Sequence, residues 1–465
     1  MQLLAASSAV MRRTLLALTA GLALASSAVS PVSAQMPGQI IVPPPPESAD
    51  QKETPLESSF RERLVEPGRI RTTGALEKTL EGLPAFFGGT NFTFKPRTYY
   101  FDQVDPNGKV EEAWALGGSI EYKSGLVWDR IWVGAEFFGS WPLYTGPNAG
   151  DTLLLTSSGQ SYTVLGQAYV AANLSANNQL IAGDFTSVDT PYANREFNRM
   201  TPNAFQGALL NGYLADEHQR LHYLVGYLDK IKERNSTDFI PMSQAAGSSA
   251  STGTAIGGVR YTRGEVAVGL AEYYTAQVSN IFYAGATYTP RLSDPYEAKL
   301  SAQFTDELSL AGASGKPLPN QWGLEAVGSR DFAVLTLSFT QTSSAGDLSS
   351  PWGDAPSFTR TEIHNTARAG ENAVLGMLSY HFDRLSLPGA SFAAVGAYYW
   401  DAVSTASHPQ PNQTELDLYL DYKVPRGNGL LEGLWFRVQR NWEWNAGGGE
   451  TAQWRVIVYW EIPLI

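Results

Sequence analysis

Seven cationic side chains stand within or beside stretches in which apolar and polar residues alternate: Arg97, Arg130, Arg220, Arg260, Lys299, Arg437 and Arg455. A guanidinium grips a carboxylate through two parallel N–H donors, and a row of cations can hand an anion from one to the next. Acids are interspersed among them, including Glu121, Glu136, Glu415 and Asp417, so each cation has simple ion pairing as its alternative employment. Two long polar segments add mixed charge. The first, 187–203, holds Asp189, Arg195, Glu196 and Arg199; the second, 349–371, holds Trp352, Asp354, Arg360, His364 and Arg368.

Hydrolysis of peptide or lipid is the rival chemistry. Serine and aspartate are so plentiful that a Ser-His-Asp set can be composed around His222 or His364 without meaning. Neither G-x-S-x-G nor H-E-x-x-H occurs. His218 and His222 stand four apart, a metal-holding interval on a helix but not on a turn and a strand. With no cysteine, disulfides and thiolate metal sites are excluded. No catalytic residue, cofactor or metal is therefore expected. The 33 basic against 45 acidic residues give a net charge of −12, which argues against nucleic acid as a partner.

These side chains need elements that can aim them. From about Asn91 onward, segments of about ten residues alternate apolar and polar, separated by clusters of Gly, Asn, Asp, Ser and Pro. In the last one, QWRVIVYWEIP, Trp454, Val456, Val458, Trp460 and Ile462 share one face, and Arg455, Ile457, Tyr459 and Glu461 the other. In TELDLYLDYKV, Leu416, Leu418, Leu420 and Tyr422 oppose Glu415, Asp417, Tyr419, Asp421 and Lys423. In QRLHYLVGYLDK, Leu221, Tyr223, Val225 and Tyr227 oppose Arg220, His222, Gly226 and Lys230. A period of two sends neighbouring side chains to opposite faces of a sheet.

Between 16 and 18 such segments follow one another with no long helical pattern between them. An antiparallel sheet of that length must close or split. Closure as an all-β, transmembrane, antiparallel up-and-down barrel with a polar interior is the expected fold, with 16 or 18 strands. The 22 Tyr and 12 Trp against 20 Phe suit a surface that meets a membrane–water boundary. A cation facing lipid at mid-membrane costs about 2–4 kcal/mol, so the seven basic residues are expected to face the lumen or lie near an interface. A barrel with a plugged lumen and a structural or adhesive role remains a third reading.

The amino terminus fits export. Residues 1–34 combine Arg12 and Arg13, an apolar run and a Val32-Ser33-Ala34 exit, the pattern of a secretory signal peptide; Met11 alone begins a complete one. Without those two arginines the charge becomes −14. Residues 35–85 include four prolines in a row, Pro43 to Pro46, which favour extended polyproline II and cannot enter a sheet interior. They are expected to form a periplasmic tail or linker, and residues 86–465 the barrel.

Several stretches, in order and spacing, carry a resemblance to a known family: FTFKPRTYYFD (92–102), NREFNRMTPNAFQG (194–207), KERNSTDF (232–239), SPWGDAPSFT leading to AGENAVLGMLSY (350–380) and ELDLYLDYKVPRGNGLLEGLWFRVQR (415–440). The chain resembles the OprD family of outer-membrane porins from about Phe86 to its end. The resemblance implies an 18-stranded monomeric barrel narrowed by inward loops, which passes small solutes, often carboxylates. It further implies that the seven basic residues resemble a lumen ladder for anionic groups. Segment 187–203 takes the place of the family's inward loop, and 349–371 is a second candidate constriction. On this reading Asp189, Arg195, Arg199, Asp354 and Arg360 shape the narrow part. Expected partners are small solutes, outer-membrane lipids and lipopolysaccharide. The chain departs from the family in ending Pro463-Leu464-Ile465 rather than on an aromatic residue, and in having one arginine, Arg437-Val438-Gln439, where the family tends to have a pair.

Overall fold

Alternation is stable only where a strand has two different environments, and the computed structural model supplies them. It describes residues 82–464 apart from 217, 311–317, 365–366, 405–407, 426 and 428. The expected signal peptide and nearly all of the expected tail lie outside the described residues. After one helical turn, α1 (Ala85–Gly88), the described residues form eighteen long strands. The first seven are β1 (Asn91–Val104), β2 (Val110–Lys123), β3 (Ile131–Thr145), β4 (Tyr162–Ser175), β5 (Asn178–Phe185), β6 (Ala204–Ala215) and β7 (Gln219–Lys232). After a second short helix, α2 (Met242–Ala245), come β8 (Thr254–Arg263), β9 (Val266–Thr275), β10 (Ser279–Tyr288), β11 (Tyr296–Ser309), β12 (Asn320–Arg330) and β13 (Ala333–Thr342). The last five are β14 (Asn372–His381), β15 (Ala390–Trp400), β16 (Gln413–Lys423), β17 (Trp435–Asn445) and β18 (Glu450–Tyr459).

Each strand pairs antiparallel with the next, and β18 returns to β1 with Arg97 opposite Tyr459 and Val104 opposite Ala452. The sheet is a closed barrel, so its backbone donors and acceptors are satisfied without water, as a bilayer demands. Of the strand numbers open to the sequence, 18 is the one found.

The outer face is apolar. Val225, Leu324, Leu335, Leu337, Leu378 and Leu420 all stand about half exposed on it. Soluble proteins do not present so extensive an apolar surface; as a lipid-facing band it needs no cover. Trp114, Trp141, Tyr144, Trp322, Trp444 and Trp454 lie exposed near one end of the strands, and Tyr288, Tyr296, Phe392 and Phe436 near the other. These are the aromatic girdles of the two interfaces.

The four longest connections share one end of the barrel and the two-residue turns the other. Turns such as 176–177, 264–265 and 331–332 occupy one end; loops 146–161, 186–203, 233–253 and 343–371 occupy the other. Residues 82 and 464 lie on the short-turn side, the periplasmic side of such barrels.

One strand corrects the parity read from sequence. Gln206 pairs with Lys230 but Gly207 with Leu228, leaving Asp229 as a bulge in β7. A bulge adds one residue and reverses the faces beyond it. Lys230 therefore leaves the lumen face of Arg220 and His222 and joins the outer face beside Gln206.

Candidate functional site

The two long loops fold into the barrel because they carry apolar side chains that the lumen can bury. On the β5–β10 side, Phe185, Phe205, Leu209, Leu228 and Tyr273 receive Val188, Tyr192 and Ala193 from the first loop and Trp352 from the second. Trp352 is fully buried and donates its Nε1 hydrogen to the Met242 carbonyl at 2.9 Å. The two loops also bind each other. Asn194 Nδ2 donates to the Asp354 carbonyl at 2.8 Å, and the Asp354 amide donates to Asn194 Oδ1 at 2.9 Å. Gly353 permits this approach: its φ is +145°, and a Cβ there would lie 2.3 Å from Asn194 Oδ1.

The polar wall of β16, β17, β18 and β1 is met by the loops as well: Leu154, Leu155 and Met200 pack on Tyr99, Phe101 and Ile457. Register orders its cations. Arg455 lies opposite Gln439 and Phe101, Arg437 opposite Ile457, and Arg97 opposite Tyr459; Lys95 follows Arg97 by two. At about 3.4 Å per residue, each two-residue step descends roughly 7 Å toward the periplasm. All three arginines are buried in the wall.

Each cation has a distinct setting. Arg437 makes a two-contact pair with Asp421 (Nε to Oδ1 2.8 Å, Nη2 to Oδ2 3.3 Å). Arg97 lies 4.4 Å over the Phe197 ring, 5.5 Å from that of Tyr99 and 5.6 Å from that of Tyr459. Lys95 pairs with Glu121 at 2.6 Å and Glu136 at 3.1 Å. Arg455 pairs with Glu362 of the second loop. Its guanidinium and that of Arg199 both lie against Phe101, at 5.5 and 5.1 Å.

Beyond this wall the predicted residues scatter. Arg220, Arg260 and Lys299 sit on inward-facing strand positions. Arg220 stacks on Tyr213 at 5.4 Å, Arg260 lies opposite His222, and Lys299 is 3.8 Å from Glu325. Arg130 is corrected: it lies exposed in the β2–β3 turn, because the left-handed residues Trp128 (φ 51°) and Asp129 (φ 55°) break the chain before β3 begins. In the loops, Arg195 pairs with Asp189 at 3.3 Å and Arg360 pairs with Asp354. Arg199 donates to the Thr152 carbonyl at 3.1 Å.

Sequence reasoning missed Arg234, which pairs with Glu196 and donates to Asn198 Oδ1 at 2.6 Å. It placed Tyr419 on the inner face without giving it a role, and it missed Lys95, Phe197 and Glu362. Lys95 shares the parity of Arg97 and was legible; the others depend on how irregular loops meet a wall.

Loop charges respond to this enclosure. Burial, then the neighbouring Arg455, pulls the Arg199 guanidinium down to about 10, so it stays cationic at neutral pH. Burial opposes ionisation of Asp354, but Arg360 beside it brings its carboxyl below the usual range. Glu196 is raised by burial, against the pull of Arg234. His364 lies between Glu371 (3.1 Å) and Glu443 (3.6 Å); burial lowers it, but those carboxylates prevail and push it up to about 9.

The second loop is clamped to the wall by one carboxylate. Glu415 accepts from Thr361 Oγ1 at 2.7 Å and from the Ile363 and His364 amides at 2.8 Å each. The arrangement is a charge-lined lumen narrowed by loops that pack on the β5–β10 side and on β1 and β18. Among the described residues, no group of three or more His, Asp or Glu is placed to hold a metal ion.

Comparisons with known proteins agree with this geometry. Residues 84–464 match the family described as outer membrane porin, OprD family. No curated protein matches the chain. Among solved structures, OccK9 (OpdG) of Pseudomonas aeruginosa superposes with a TM-score of 0.72 at 20% identity, covering 82% of this chain and 100% of that one. The OpdK structure with vanillate, from the same organism, gives 0.70 at 19%, covering 80% and 98%. OccAB1 of Acinetobacter baumannii gives 0.73 at 16%, covering 83% and 99%. A closed 18-stranded barrel with an apolar outer belt, matched to one family model over nearly all its described length, leads to one assignment: this chain belongs to the OprD family of outer-membrane porins.

Proposed function

We propose that this porin is a substrate-selective diffusion channel for small polar solutes that carry a carboxylate. The observation that carries the reading is the descending line of Arg455, Arg437, Arg97 and Lys95 along one wall, met by loop residues at the narrow part. A carboxylate passing the narrow part is always within one step of a fixed cation. Each contact is a charge-assisted hydrogen bond in a space with little screening solvent. Phe197, half-buried over Arg97, offers a ring beside this line and suits a solute with an apolar body behind its carboxylate. The relative OpdK has been crystallised with vanillate, which is such a solute. The unit of function is one barrel among outer-membrane lipids and lipopolysaccharide, and the passage needs no catalytic step.

The test is flux in proteoliposomes. Gluconate and glucose are of similar size and differ in charge, so gluconate is expected to enter several-fold faster at equal concentration. Equal rates would leave a plain sieving pore. Sealed vesicles combined with release of fatty acid or peptide would favour a hydrolase.

A further inference from the structure

The best-equipped anion position in the passage is filled by the chain itself. Glu362 projects from the second loop, between Arg360 and His364. Arg455 donates to its carboxylate through Nη1 and to its backbone carbonyl through Nη2 at 3.2 Å. Tyr419 Oη donates to the other carboxylate oxygen at 3.2 Å. Burial works to raise the carboxyl, and Arg455, Arg437, Arg199 and Arg360 together overcome it and hold it below the usual carboxylate range. Two of those four cations come from the wall and two from the loops. A guanidinium, a phenol and a surrounding field of positive charge form the donor set that a passing monocarboxylate requires.

The attachment of Glu362 shows what can move. Its neighbours Thr361, Ile363 and His364 are tied to Glu415 by three hydrogen bonds, so the backbone on both sides is fixed. Its side chain remains 27% exposed, while Arg455 beneath it is 3% exposed. The half-buried carboxylate covers the arginine, which its displacement would uncover.

We propose that Glu362 is an internal ligand of the pore, a carboxylate that occupies the solute's binding position and yields it to each carboxylate that passes. Arg455 then never stands bare. When a solute arrives, one carboxylate replaces another on the same donors, and when it leaves, Glu362 returns. The solute exchanges for a resident group instead of binding an unoccupied buried cation, so its affinity is moderated and its release is assisted. Conduction needs such weak binding, since a site that holds its ion tightly stops passing it. The inference rests on the carboxylate reading above and names the residue that tunes it.

The experiment compares wild type with Glu362→Gln and Glu362→Asp in proteoliposomes and planar bilayers, after heat-modifiable gel migration has verified each barrel. The probes are gluconate, glucose and a potassium chloride gradient. If Glu362 holds the position for nine-tenths of the time or more, Glu362→Gln lowers the half-saturating gluconate concentration about tenfold or more, by removing the competitor. Maximal gluconate flux falls and the zero-current potential moves toward anion selectivity, while glucose flux changes less than about twofold. Glu362→Asp, with a shorter arm, shifts half-saturation in the same direction by less, and serves as the reading should Glu362→Gln not assemble. Unchanged half-saturation in a variant whose wild type still prefers gluconate overturns the internal ligand and leaves the carboxylate channel standing. Wild type that passes gluconate no better than glucose overturns both.

Discussion

Arg455→Gln is the sharpest probe of the ladder, because the structure separates its charge from that of Arg437. The Arg437 guanidinium is matched by Asp421 through two contacts, at 2.8 and 3.3 Å. Removing Arg437 alone would bare that acid, so the informative partner variant is Arg437→Gln with Asp421→Asn, which deletes a neutral pair. Among the described residues Arg455 forms its ion pair with a loop carboxylate, Glu362, and its Nε and Nη2 donate to Gln453 Oε1 at 3.1 and 2.8 Å. Hydrogen bonds to a charged group are worth about 1.5–3 kcal/mol each. At 1.4 kcal/mol per factor of ten, Arg455→Gln should weaken half-saturation by gluconate roughly 10- to 100-fold. The neutral-pair deletion should cost no more than about threefold, since the attraction it removes largely cancels within the pair. Glucose flux should be nearly unchanged in both. The assay is concentration-dependent uptake into proteoliposomes with barrel assembly verified by gel migration. Equal losses for gluconate and glucose in Arg455→Gln would refute the reasoning, as would a neutral-pair variant as impaired as Arg455→Gln.

Four further outcomes follow from the loops and the turn. Trp352→Ala should free the second loop from the β5–β10 side at a local cost of about 3–5 kcal/mol, giving larger, noisier single-channel currents from a barrel that still assembles. Gly353→Ala should separate the two loops with a milder version of the same phenotype, because its Cβ would press on Asn194. His364 is raised to about 9 in the folded protein, so the stability it lends is fully present below its unfolded pKa of about 6.5 and is lost as pH rises through 9. Channel noise should therefore increase between pH 8 and 10, and His364→Gln should abolish that dependence. Arg130→Gln should leave flux and selectivity unchanged, since Arg130 lies exposed in a periplasmic turn; altered gluconate preference would contradict its placement.

How much of this was legible depends on where period two holds. In QWRVIVYWEIP and TELDLYLDYKV, strict alternation places Arg455, Glu415, Asp417 and Asp421 inside and Trp454, Val456, Leu418 and Leu420 outside, as the structure does. It fails where one residue breaks the count. At Trp128 and Asp129 left-handed backbone delays β3 until Ile131, and at Asp229 a bulge sends Lys230 outward. The constriction was harder still. Segments 187–203 and 349–371 announce themselves by charge and length, but nothing in a loop's sequence says which wall it meets. Arg234 and Glu362 acquire their partners across 38 and 93 residues, a choice made by packing around Trp352 rather than by local pattern.

The closing ladder between β1 and β18 has a kinetic meaning beyond its geometry. Gln103 and Gln453, which meet across it, are 350 residues apart in the chain. Every other seam joins strands adjacent in sequence, so it can zip soon after its second strand arrives. The last seam must wait for the whole polypeptide, and its loop-closure entropy is the greatest in the molecule. Until then the protein carries two open edges, β1 and β18, each a row of unpaired amides and carbonyls ready to recruit another chain. Near the carboxyl end Pro463 stands opposite Thr93 and offers that edge no amide donor. An intermediate with 17 seams made and one open is therefore the species most exposed to misassembly, and the one that assembly factors in the periplasm and membrane would have to shelter.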